Sequence, residues 1–74
     1  MAYKREALLE AKRQIDSTLH KLDEVIRTFE AKEDSQRYKS QITLARRRVE
    51  AFTIARELIE RELRGVPEER GGGA

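Results

Sequence analysis

The residue types in this chain best suited to chemistry are a single histidine and a run of arginines. His20 has Asp16 four residues before it and Asp23 three after, so on a helix the three side chains share one exposed face. Such a grouping could hold a transition metal or carry a phosphoryl group on the imidazole. A metal site calls for three or four ligands, however, and the Glu-x-x-His spacing of di-metal helical bundles is missing because position 17 is Ser17. One histidine cannot complete a Ser/His/Asp arrangement. The only glycine cluster, Gly71-Gly72-Gly73, is terminal, so no phosphate-cradling loop is read either. The expectation is a chain with no catalytic residue, no cofactor and no metal, in which His20 is a solvated residue on a helix face.

The arginines suggest a different chemistry. Arg37, Lys39, Arg46, Arg47 and Arg48 form a segment free of acids from Gln36 to Val49, and such a segment can neutralise phosphates of a nucleic acid. Consecutive residues on a helix point about 100° apart. Arg46, Arg47 and Arg48 therefore fan around the axis instead of forming one stripe along a backbone of phosphates. The candidate basic patch is Arg37, Lys39, Arg46 and Arg47, with nucleic-acid association as a lesser reading than solvated, snorkelling side chains. Arg56 differs from the rest, because by phase it points between the helices near Ile15. There it is expected to snorkel or to pair with Asp16 or with a partner's carboxylate.

Composition limits what can position these residues. Seventy-four residues allow one domain with a small core, and no cysteine is available to staple it. Charged residues make up 41% of the chain while glycine and proline together number five, which describes water-facing helices and not a flexible linker. No apolar run approaches the ~18 residues of a membrane span, and no apolar signal core follows Met1-Ala2-Tyr3-Lys4-Arg5. The expected location is the cytoplasm. The net charge of +2 is unevenly spread: residues 1–34 carry seven basic and eight acidic groups, and residues 35–65 carry eight and four.

Two apolar stripes organise the chain. Leu8, Ile15, Leu22 and Phe29 recur every seven residues, with Ala11, Thr18 and Val25 three residues after the first three and Leu19 and Ile26 beside them. This is one face of a helix over about residues 3–32. Tyr38, Ile42, Ala45, Val49, Phe52, Ile59 and Leu63 make a second face, on a helix over about 36–64. Extending the first stripe by sevens lands on Gln36, Thr43, Glu50 and Glu57, all polar, so one continuous helix would set the two faces on nearly opposite sides. A turn over about 33–36 lets them meet as an antiparallel hairpin, pairing Leu8 with Leu63, Leu19 with Phe52, Leu22 with Val49 and Phe29 with Ile42. Asp34 or Ser35 can cap the second helix. Gly65 in a left-handed conformation, followed by Pro67, would end it, leaving 66–74 as a flexible tail.

The second helix carries more apolar residues than the hairpin can cover. Leu44, Ala51, Ile54 and Leu58 lie roughly 90–180° around from the inner seam, and a cluster of this kind suggests a contact surface. The expected assembly is a homodimer in which these residues close a four-helix bundle. The function read from the chain is a non-enzymatic protein interaction module. As an alternative, Ser40-Gln41-Ile42 resembles the Ser-Gln motif of the small hairpin phosphatases that act on response regulators in sporulating bacteria. The resemblance covers only these residues and implies a regulator of a signalling protein. Thr43 and Leu44 follow where that family has an acidic residue, so its catalytic role does not carry over.

Overall fold

A computed structural model describes residues 3–65, all of whose regular structure is helical. Helix α1 spans Arg5–Glu30, a single 3₁₀ turn spans Ser35–Tyr38, and helix α2 spans Lys39–Gly65. Each long helix starts and stops within about three residues of the bounds set by its apolar stripe. At 1.5 Å per residue the 26 residues of α1 run about 39 Å. The expected tail, 66–74, and Pro67 with it, lie outside the described residues.

The helices are antiparallel and packed along their length. Near the open end, Arg5 Nη1 donates to the carbonyl of Leu63 at 3.5 Å; midway, Arg56 Nη1 donates to Asp16 Oδ1 at 3.3 Å; near the turn, Arg46 binds Glu30. The middle contacts, Asp16 with Arg56 and Lys12 with Glu60, lie one residue from the pairing read from the stripes. The Arg5 contact satisfies a carbonyl in the last turn of α2, where no further helical N–H is available and positive charge favours the helix dipole.

The turn is tight without glycine or proline. The Ala31 N–H returns to the Arg27 carbonyl at 3.0 Å, that of Lys32 to Phe29 at 3.3 Å, and that of Arg37 to Asp34 at 2.9 Å. Helical bonds thus give way to the i→i+3 bonds of a 3₁₀ turn, which reverses the chain using ordinary residues. Asp34 precedes the 3₁₀ turn but makes no side-chain cap; its carboxylate pairs with Arg37 instead. Gly65 is the last described residue of α2, and its backbone is not in the left-handed conformation expected of it. Beside the turn, the rings of Phe29 and Tyr38 stack at 4.6 Å with their planes 17° apart, and Lys32 Nζ lies 5.7 Å from the Tyr38 centroid. Phe29 thus meets the first aromatic after the turn, ahead of the expected Ile42.

The core is thin. Leu8, Ile26 and Ala45 are buried, and no side chain among the described residues is completely withdrawn from water. Ile15, Leu19, Leu22, Phe29, Ile42, Val49, Phe52, Ile59 and Leu63 are half-buried along the same seam. Val25, assigned by spacing to the edge of the α1 stripe, is 41% exposed, while its neighbour Ile26 is 8% exposed. The seam therefore runs through Leu8, Leu19 and Ile26, one position round from the Ala11-Thr18-Val25 line. This places a sharp boundary between adjacent residues. Ile26→Ala should cost at least about 2 kcal/mol in urea unfolding, and Val25→Ala should stay within about 0.5 kcal/mol of wild type. Equal losses at the two positions would show that the Val25 side of α1 is covered as well.

Candidate protein interface

The four residues read as an interface project from α2 on the side turned away from the seam. Ala45 is the most buried residue of α2, and Ala51, six positions on, lies about 120° around from it. Leu44, Ile54 and Leu58 fall within about 60° of Ala51 on the same count, and they are 48%, 55% and 53% exposed. Ala51 is exposed too. The structure thus brings Leu44, Ala51, Ile54 and Leu58 onto one water-facing strip. On α1, Leu9 and Val25 are exposed as well, but they stand 16 residues apart and form no such strip; Tyr3, ahead of α1, is also exposed.

The basic residues do not gather in the same way. Arg37 pairs with Asp34 at 3.4 Å, and Arg46 reaches across to Glu30 instead of to Glu50 on its own helix. Arg46 and Arg47 border a shallow groove between the helices whose lining also includes Asp23, Glu30 and Glu50. Lys39 and Arg47 meet on a second groove, with Ser40, Thr43 and Leu44. Two of the four candidate positions, Arg37 and Arg46, are thus engaged with carboxylates, while Arg47 borders both grooves. Ser40 and Gln41 are both exposed, and no carboxylate lines the groove beside Ser40.

His20 is exposed, lies 3.2 Å from Glu24, one turn on, and borders a shallow groove whose lining also includes Asp16 and Asp23. Among the described residues no three His, Cys, Asp or Glu side chains gather as metal ligands. No helix among them is long and apolar enough to cross a membrane.

The most connected polar group sits across the seam. Lys12 Nζ lies 3.1 Å from Asp16 Oδ2 and 3.6 Å from Glu60 Oε2, and Asp16 also accepts from Arg56. The phase of Arg56 pointed to Asp16. The part played by Glu60 was missed, although Lys12 and Glu60 sit on facing turns and the pairing register brings them together. The Arg56 Nε is buried with no hydrogen-bond partner, so the guanidinium meets its carboxylate through Nη1 alone while its stem packs between the helices.

This network shifts its members' protonation. The hydrogen bond from Lys12 is the main reason that the Asp16 carboxyl is held below its ordinary value; partial loss of water opposes this, and Arg56 adds to it. Lys12 is held above its ordinary value, chiefly by its hydrogen bond to and the charge of Asp16, with Glu60 contributing less.

Comparison with protein-family models, curated proteins and solved structures finds no match to the chain in any of the three. The arrangement of the side chains alone carries the functional argument.

The charge network predicts a pH window. A lowered carboxyl stabilises the fold above its unfolded pKa and loses that contribution as pH falls through the folded value; a raised lysine does the reverse at the alkaline end. Asp16→Asn should therefore melt below wild type between about pH 5 and pH 10, and the gap should narrow progressively as pH falls below about 4 toward and through the lowered folded value of the wild-type carboxyl. A gap unchanged at pH 3 in thermal melts would assign the loss to packing and not to charge.

Proposed function

We propose that this chain is a non-enzymatic interaction module, a helical hairpin that pairs through the outer face of α2 with a second copy to close a four-helix bundle. The observation that carries this reading is the strip of three large aliphatic side chains, Leu44, Ile54 and Leu58, each about half exposed around Ala51. A hairpin whose core contains three buried residues gains from covering that strip, since a short chain without disulfides lies near the lower limit of independent stability. A second copy presents the same strip and is the simplest surface that can cover it.

Two other roles find less support. Regulation of a signalling protein through the Ser40-Gln41 segment lacks a carboxylate beside the serine. Nucleic-acid association is disfavoured by the pairing of Arg37 and Arg46 with Asp34 and Glu30.

Sedimentation equilibrium tests the assembly. Wild type should sediment at twice the chain mass at micromolar concentration, and the double variant Leu44→Glu/Leu58→Glu should sediment as a monomer with reduced helicity. A wild-type chain that is monomeric at high micromolar concentration, yet fully helical and cooperative on melting, would refute self-association.

A further inference from the structure

Leu44, Ala51 and Leu58 stand at two equal intervals of seven residues. Seven residues return a helix to within about 20° of its starting direction, so the three lie on one line that is symmetric about Ala51. Reversing α2 end for end about Ala51 exchanges Leu44 with Leu58, two leucines of nearly equal exposure, and exchanges Ser40 with Glu62. Ala51 has the smallest side chain of the strip. Two helices approach most closely where the facing residues are small.

The charges of α2 are not symmetric about the same point. Residues 39–49 carry four basic groups and no acid, and residues 50–65 carry four acids, Glu50, Glu57, Glu60 and Glu62, with three bases. Two copies of α2 side by side in the same direction would lay Arg47 and Arg48 against themselves, and like charges in register repel. In opposite directions, the basic half of each copy lies along the acid-bearing half of the other.

Building on the self-association proposed above, we infer that two copies pair α2 against α2 in antiparallel orientation about a two-fold axis through Ala51. Leu44 of each copy packs on Leu58 of the other, Ser40 faces Glu62, and Arg47 comes near Glu57. Ile54 flanks the axis on the same edge as Arg47 and covers the stem of Arg47 on the opposing helix, a use of arginine's aliphatic portion that leaves its charge in water. The two hairpin turns then lie at opposite ends of the assembly, and both α1 helices are turned outward.

The chain contains no cysteine, so single-cysteine variants report the geometry without background. Ser40 and Glu62 are exposed and 22 residues apart on α2, which separates them by about 33 Å. Under mild oxidation, Ala51→Cys should form a disulfide-linked dimer alone. Ser40→Cys and Glu62→Cys should cross-link at least tenfold faster when mixed than either does alone. Self-linking of Ser40→Cys as fast as the mixed reaction would overturn the antiparallel orientation and leave self-association standing. A protein that sediments as a dimer but fails to cross-link at Ala51→Cys would overturn the position of the axis. A protein that sediments as a monomer and cross-links at none of the three positions would remove the self-association on which the inference rests.

Discussion

Two helices laid side by side can cover only one side of each other, and the remaining features of this structure follow from that constraint. The seam takes up the best apolar residues of both helices: Leu8, Ile26 and Ala45 are buried along it, while residues such as Leu19 and Val49 stay half in water. At about 25 cal/mol per Å² of apolar surface buried, so small a core leaves little margin over the entropy of ordering two long helices. The outward apolar strip on α2 lies on the side that neither helix of the hairpin covers.

The polar contacts across the seam answer a different need. A thin apolar seam with repeats of similar size tolerates sliding by one turn, since large residues can find other large residues. Lys12, Asp16, Arg56 and Glu60 tie opposite signs at one height along both helices, and a slip of one turn would break these pairings. Individually such half-exposed pairs contribute little to stability. Their value lies in selecting one register from several, in the manner of polar residues at helical interfaces.

Much of this architecture is legible in the residues. The loss of phase between Phe29 and Tyr38 announces the reversal even though no glycine or proline marks it, because an apolar stripe cannot jump sides on a continuous helix. The outer strip is equally legible, as four apolar residues out of phase with their own seam. The turn was harder to read. Asp34 is a good capping residue by type, but its carboxylate finds Arg37 first, and a 3₁₀ turn satisfies the backbone without it. The partners of Arg46 and Glu60 lie on the opposite helix, where spacing within α2 does not reveal them. The basic segment shows a similar limit. A run of like charges in sequence says nothing of which acids the fold brings alongside.

The Phe29–Tyr38 stack beside the turn also bears on how the hairpin forms. These rings are nine positions apart, so bringing them together closes a short loop at small entropic cost, whereas the contact between Arg5 and Leu63 requires 58 residues to be ordered first. Closing the hairpin from the turn outward therefore carries the lower entropic cost, each pair of facing residues shortening the loop left for the next. The corresponding expectation for opening is that the ends furthest from the turn separate at least cost, so that amide protons there exchange with solvent sooner than those flanking the aromatic pair.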